Sequence, residues 1–375
     1  MDQNVEVFTS VDQINDEFLL KWRELETNSL SPNLYLSPDF IIPSLLHLSP
    51  NIDFIIIGIF NLSTDKSLIG LSIFEIIDPS LKYPFGYLST YQSCHSFLGG
   101  ILLHKDHYIE YMIALLIYIN TKTKYNAVEF RDFYLSNKYF NIINEAINEL
   151  SFNWHEFYQK ERLILCPEKC TSDYINNTIN KKYYKNIKRK RRSLNKIGNL
   201  SFRSVSGREI SKVTIDNFLS LESSGWKGTS KTALNSTYDA RLFFHQLIDG
   251  FIENNSVFFT EIYVDDRCIA ATCNFLIQDV GFAFKSAYDE NFRKYSPGII
   301  NEIYIIENAQ SILHDIRYVD SGAMPGSYLD KLWKDSYYLK SGMFTLNKRT
   351  SLYLILYKTV KTIITRLSNI YVHRT

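Results

Sequence analysis

The chain has 375 residues and 41 basic against 40 acidic side chains, so overall charge singles out no polyanionic partner. Its length exceeds what one hydrophobic core usually serves and predicts two domains. Five cysteines, an odd number in a long chain, fit a reducing compartment better than a disulfide framework. The start, MDQNVEVFTS, lacks the basic and apolar regions of a signal peptide, and no run is apolar enough to span a bilayer. A cytoplasmic protein is expected.

Apolar spacing predicts an amphipathic helix over 12–26 (Ile14, Phe18, Leu19, Trp22, Leu25), then the Pro-punctuated SPNLYLSPDFIIP. Strands are expected at 53–60 and 68–77, joined by the turn-rich NLSTDKS. A Gly-containing loop over 83–100 leads to a helix at 106–121, a strand AVEFRD, a helix near 138–150 and strands within 153–165. A basic helix follows over 173–197, then a strand LSFRSV and helices at 209–223 and 237–254. Next comes a three-stranded meander, SVFFTEIYV, RCIAATCNFLI and VGFAFKSAY, with turns at Asp265-Asp266 and Gln278-Asp279. A helix from 297 to 313 and a strand IRYVDSG complete a strand–helix–strand unit. The last helix, 349–370, alternates Leu, Ile and Tyr with Lys and Arg. It packs on the body or touches a membrane surface peripherally.

The strand–helix–strand unit makes its two strands parallel, and ligands in such sheets sit beyond the strands' carboxyl ends. The helix over 297–313 opens there with Ser296-Pro297-Gly298. Unpaired N–H groups and the helix dipole favour an anion at such a start, Gly298 admits close approach, and Arg293 and Lys294 add charge. Ser at the cap with Pro behind it also starts many helices that bind nothing.

The meander, the crossover and this loop together resemble the GCN5-related N-acetyltransferase (GNAT) superfamily. In that family an Arg/Gln-x-x-Gly-x-Gly/Ala loop cradles the pyrophosphate of acyl-CoA. Here Arg293 and Gly298 match, while Ser296 replaces the first Gly. Four stretches in order resemble the cellulose-biosynthesis (CelD-like) acetyltransferases, which pair two GNAT-like units as Fem-type aminoacyltransferases do. They are Leu221-Glu222-Ser223-Ser224-Gly225-Trp226-Lys227-Gly228, Phe284 to Glu290, Ser296-Pro297-Gly298, and Asp320-Ser321-Gly322 with Tyr328, Lys331 and Trp333. The likeness covers about 170–335 well and the first half more weakly, through Trp22 and SPDF.

The resemblance implies an α/β fold with α+β mixed sheets. It predicts an N-terminal GNAT-like unit (1–168), a C-terminal acetyltransferase unit (169–348) and a C-terminal amphipathic helix (349–375). Each unit would be a mixed, mostly antiparallel sheet flanked by helices. It implies acetyl-CoA as cosubstrate, held at Arg293, Lys294, Ser296 and Gly298, with no metal. The expected acceptor is a small molecule, an amine on a nucleotide-sugar or surface-polysaccharide precursor, attacking directly.

Catalytic candidates are Glu222, before a Gly-rich turn, Lys285, Tyr288 as proton donor to the thiolate, and Asp320. Alternation sets Lys285 opposite Phe284 and Phe282. Trp226, Lys227 and Asp289 are acceptor-binding candidates, with Asp289 and Asp320 ending parallel strands at one cleft. A Fem-type enzyme using aminoacyl-tRNA, and a non-catalytic binding protein, are the competing readings. The basic run KKYYKNIKRKRR otherwise reads as a helix packed through Tyr184, Ile187, Arg191, Leu194 and Ile197, not as a nucleic-acid site. Cys166-x3-Cys170 lacks a second pair at zinc spacing, and Cys94-His95 point apart on a strand.

Overall fold

A computed structural model describes residues 4–61, 66–225 and 233–372, with 172 and 362–372 as backbone only. Among the described residues thirteen strands form one mixed sheet. They are β1 (Val5–Phe8), β2 (Phe54–Phe60), β3 (Leu68–Ile77), β4 (Tyr87–Thr90), β5 (Leu102–Leu103), β6 (Ala127–Phe133), β7 (Asn153–Leu165), β8 (Leu200–Ser206), β9 (Val257–Val264), β10 (Arg267–Ile277), β11 (Val280–Tyr288), β12 (Tyr318–Asp320) and β13 (Asp335–Thr345). The principal helices are α1 (Asp16–Thr27), α2 (Pro38–Pro43), α3 (Tyr108–Lys122), α4 (Asn137–Glu149), α5 (Ser172–Thr178), α6 (Lys181–Leu194), α7 (Lys212–Ser224), α8 (Tyr238–Ile252), α9 (Pro297–Glu307) and α10 (Lys348–Val372).

The strand order is β1-β2-β3-β4-β6-β13-β7-β12-β11-β10-β9-β8, with β5 on β3. Each half has an antiparallel meander followed by one parallel step across a helix. In the first half β4 runs parallel to β6, and in the second β11 runs parallel to β12. This is the mixed α/β architecture that the sequence implied.

The halves exchange their closing strands. β7, from the end of the first half, pairs with β12 of the second, and β13 returns from the second half to β6 of the first. Where they meet, β7 and β13 form a ladder from Asp335↔Ile164 to Thr345↔Asn153. β1, β4, β5 and β13 lie in stretches where the apolar pattern predicts no strand. The basic helix is two helices, because Asn180 caps α6 by accepting from the amides of Lys182 and Tyr183. It stops at Leu194, which leaves Ile197 51% exposed and off the packed face.

Helices cover both faces. α3 and α4 pack on one face of the first half through Leu115, Leu116, Ile119 and Ile143, while Trp22 and Leu25 of α1 pack on the other. In the second half α7 and α8 bury Phe218, Phe243 and Phe244 on one face, and α6 and α9 bury Ile187, Ile300 and Ile303 on the opposite face. The first of these cores takes in residues from the first half. Phe40 of α2 stands 5.5 Å from Phe243 and 6.4 Å from Phe284, and Tyr35 stands 6.1 Å from Phe282. Such rings gain both burial and edge-to-face attraction.

A buried ion pair crosses the seam. Arg162 of β7 and Asp320 of β12, each 2% exposed in its side chain, meet at 3.1 Å. Arg162 also donates to the Phe97 carbonyl at 2.6 Å, and Asp320 accepts from the Gly322 amide at 2.6 Å and from the Tyr337 hydroxyl. Removing one member leaves the other charge dry. Arg162→Met should therefore cost about 3–5 kcal/mol, read as a lower urea midpoint with an unchanged slope.

Candidate functional site

β11 is the spine of the site. It pairs with β12 only over Val280↔Tyr318 to Phe282↔Asp320, then runs on to Tyr288 without it, so the two strands part beyond that point. The opening leads to the turn 290–295 and the N-terminus of α9. Gly322, at φ +60°, packs where a Cβ would lie 2.8 Å from the Ala283 carbonyl, so the chain can turn tightly away from β11 only with glycine there.

Ser296 adopts the left-handed conformation, φ 56° and ψ 54°, and its side chain makes no capping bond to α9. Serine thus occupies the conformation that glycine would favour at this loop position. The Ser296 hydroxyl instead accepts from Lys190 Nζ of α6 at 2.6 Å. The basic helix therefore delivers a cation to this loop, beside the highly exposed Arg293. At Gly298 a Cβ would meet only Tyr288 Cδ1, at 3.6 Å, an ordinary contact. Nothing in the chain's own packing demands a glycine in that first helical turn, and the space above it is open to a ligand.

On β11 the alternation fails at a bulge. Cys273 pairs with Lys285 and Asn274 with Ala283, so Phe284 has no opposite residue. Phe284 and Lys285 consequently meet the same layer, where Lys285 Nζ stands 5.6 Å from the Phe284 ring and 5.8 Å from the Phe97 ring. This corrects the expectation of opposite faces. Bulges re-aim side chains in this way beside functional sites.

Glu222, near the end of α7, is 2% exposed and does not face an open cleft. Its Oε2 accepts from the Leu234 amide at 2.8 Å, and its Oε1 lies 3.7 Å from Lys285 Nζ. Burial, then the Glu222 charge, push the adjoining Cys273 thiol well up, so it is no nucleophile.

Asp320 and Asp289 do not share a cleft. Asp320 sits beside Phe282, and Asp289 lies seven residues further on, roughly 20 Å along an extended strand. Asp320, 1% exposed, is buried and already accepts from Arg162, Gly322 and Tyr337, so it is a structural acceptor closed off from solvent and not an exposed base. Asp289 caps the 290–295 turn through the Asn291 amide and accepts from Arg267 at 2.5 Å. Tyr288 lies against Gly298, its phenol pushed up by burial and then by Glu290. Lys294 belongs to the same turn. Trp226 and Lys227 lie outside the described residues.

The structure also brings in residues to which the motifs assigned no site role. Lys190 reaches the loop from the basic helix α6, and Tyr328 hydrogen-bonds the side chain of Ser286 across the opening. His95, set aside as a nucleophile, packs 5.8 Å from Phe243 and 6.5 Å from Phe284, beside Phe97. The basic run pointed to Lys190 and the CelD-like stretch contained Tyr328, while His95 carried no such signal.

Beneath the loop, Glu302 of α9 is buried and accepts from Trp333 Nε1 at 2.9 Å. Desolvation raises its pKa to about 7, and the Trp333 bond opposes this only in part. The folded state then holds a proton that the unfolded chain, with its ordinary carboxyl near 4.5, releases earlier. This contribution to stability is present below pH 4.5 and lost as pH rises through about 7. Glu302→Gln should flatten that decline by up to about 3 kcal/mol, measured as unfolding free energy at acidic and alkaline pH against the parent.

Residues 181–334 match the acetyltransferase (GNAT) domain family. A search of curated proteins finds no match to this sequence. Among solved structures, FemX is similar at TM-score 0.56 and 12% identity, covering 94% of this chain and 100% of its own. The C-terminal domain of a putative lysylphosphatidylglycerol synthetase from Agrobacterium fabrum is similar at TM-score 0.52 and 8% identity, covering 92% and 97%. L-PGS from Bacillus licheniformis follows at TM-score 0.50 and 12% identity, covering 94% and 97%. At these identities the likeness is one of fold. The matched stretch runs from α6 to Trp333 and includes the loop 293–298, so the chain carries an acetyltransferase (GNAT) domain there, the domain of an acyltransferase.

Proposed function

We propose that this acyltransferase uses acyl-CoA, with acetyl as the group transferred, and acts on an amine of a nucleotide-sugar or surface-polysaccharide precursor by direct attack. The observation that carries the donor assignment is the loop 293–298. A left-handed residue, a glycine that internal packing does not require, and the Lys190 ammonium converge on one helix N-terminus. Amides, dipole and cations together suit a pyrophosphate. The acceptor class rests on the CelD-like resemblance, and the cytoplasm is where such precursors and acyl-CoA meet.

On this reading the thioester arm lies along the free edge of β11 beyond Phe282. A backbone N–H near Ser286–Tyr288 receives the developing oxyanion. The amine attacks the thioester carbonyl and releases its proton to solvent water, the tetrahedral intermediate collapses, and the C–S bond breaks to give the amide and the CoA thiolate. Tyr328, held to Ser286, or Tyr288 returns a proton to the thiolate. Lys285, partnered by Glu222, sets the potential along the acceptor side, so Glu222 acts through Lys285 and not as the base.

Calorimetric titration with acetyl-CoA should show saturable binding. Gly298→Asp should weaken it at least about tenfold, roughly 1.4 kcal/mol, with an unchanged melting temperature. No heat at millimolar acetyl-CoA removes the donor assignment, and unchanged binding in Gly298→Asp removes the loop. Once an acceptor is in hand, Tyr328→Phe should lower kcat about tenfold to a hundredfold with little change in KM for acetyl-CoA.

One observation favours a second donor. The outer face of α6 lines a groove of about 750 Å³ with Lys182, Lys185, Lys188, Arg189 and Arg192, more cations than one CoA engages. An aminoacyl-tRNA would use them. Substituting three of these with Glu should leave acetyl-CoA binding within about twofold under the first reading, whereas tRNA binding that competes with catalysis would establish the second.

A further inference from the structure

The C-terminal helix α10 carries an apolar face that the body does not cover. Its inner side is tied down by Leu354, fully buried, and by Tyr353 and Tyr357 against the aromatic cluster of Tyr83 and Phe85. Its outer side presents Leu352, Ile355, Leu356 and Val360 at 58%, 51%, 56% and 53% exposure. These positions fall on one stripe of a 3.6-residue helix. The sequence continues the spacing at Ile363, Leu367 and Ile370.

Beside it the loop 79–86 raises Leu81 fully into solvent. That loop is fixed to the helix, because Tyr353 donates its hydroxyl to the Lys82 carbonyl at 2.8 Å. Two elements distant in sequence thus offer large apolar side chains from one joined body.

The charge around this face identifies what covers it. From Lys348 to Val372 the helix has Lys348, Arg349, Lys358, Lys361 and Arg366 and no acidic residue. Lys82 adds a further exposed cation, and the acids near this corner are Asp78 in the same stretch of chain, Glu156 beside Lys358 and Glu129 beside Tyr83. A second copy laid on this stripe would bring like charges together with no carboxylate on either helix to pair them. No helix among the described residues is long and apolar enough to cross a membrane. An apolar stripe accompanied by cations, on a helix that does not span, matches the headgroup region of a bilayer surface rich in anionic lipids.

We infer that α10 and Leu81 dock this enzyme on an anionic membrane surface, with the helix lying in the interface plane. The inference is independent of which donor the catalytic unit uses. It is tested by co-sedimenting the full chain with vesicles of phosphatidylcholine containing about one third phosphatidylglycerol, and with phosphatidylcholine alone. Binding is expected to the first and to be at least about tenfold weaker to the second, and to fall as salt rises.

Ile355→Glu combined with Leu356→Glu should abolish sedimentation, and Leu81→Glu should weaken it. Both should keep the parent's circular dichroism, melting temperature and acetyl-CoA titration. Absence of binding to the phosphatidylglycerol vesicles overturns the inference, as does binding that survives the double substitution. A dimer in light scattering that dissociates in the double variant overturns it too, because the stripe would then belong to a second copy.

Discussion

The Arg162–Asp320 pair fixes where the site opens. Asp320 is the last residue of β12, and its carboxylate is held by a guanidinium from β7, a phenol from β13 and the amide of Gly322. Those partners stop the parallel strand there and turn the chain away, while β11 continues alone. Two dry charges are costly, and the cost is offset because every strong partner is present in hydrogen-bonding geometry. The same guanidinium grips the Phe97 carbonyl, so the wall contributed by the first half is positioned by the bond that limits the second half's sheet.

In the loop 293–298 serine stands where the GNAT pattern has glycine and still takes the left-handed conformation. A left-handed serine costs on the order of 1 kcal/mol that glycine would not. In exchange its hydroxyl gives Lys190 a fixed acceptor, which ties α6 to the start of α9. Arg191, one residue on, meets Glu307 near the other end of α9 at 3.1 Å. The cationic helix is thereby held along α9 at two points, and its charge is directed at the loop.

Local patterning made most helices, the second-half meander and strands β2 and β3 of the first legible, because their apolar periods are long and polar, turn-forming residues punctuate them. It failed at β13, whose sequence DSYYLKSGMFT mixes Lys340 and Ser341 into a buried strand. Only the tertiary surroundings, with Lys340 against the Phe140 ring at 4.0 Å, make those residues acceptable there. The strand exchange was invisible for the same reason, since pairing partners are not written locally. Within the site, the loop residues could be read from the crossover, but the Phe284 bulge could not. Alternation therefore gave the wrong face for Lys285, and strand ends alone placed Asp289 and Asp320 together.

The two halves share a grammar and differ in what fills their openings. In the first, β4 and β6 are parallel over Leu88↔Val128 and Ser89↔Glu129, and Arg131 closes the next step by donating to the Thr90 carbonyl. Gly99 then makes a parallel bridge to Phe133, with its carbonyl held by Asn33. A Cβ at Gly99 would fall 2.1 Å from the Arg131 carbonyl, so this filling depends on glycine. The first half thus plugs with its own chain the place that the second leaves open. The plugging segment also carries His95 and Phe97, the residues that wall Phe284 and Lys285. The first half's loop thus leaves no matching opening of its own and becomes part of its neighbour's wall. A change that loosens the Gly99–Phe133 bridge should then be felt at β11, in the other half.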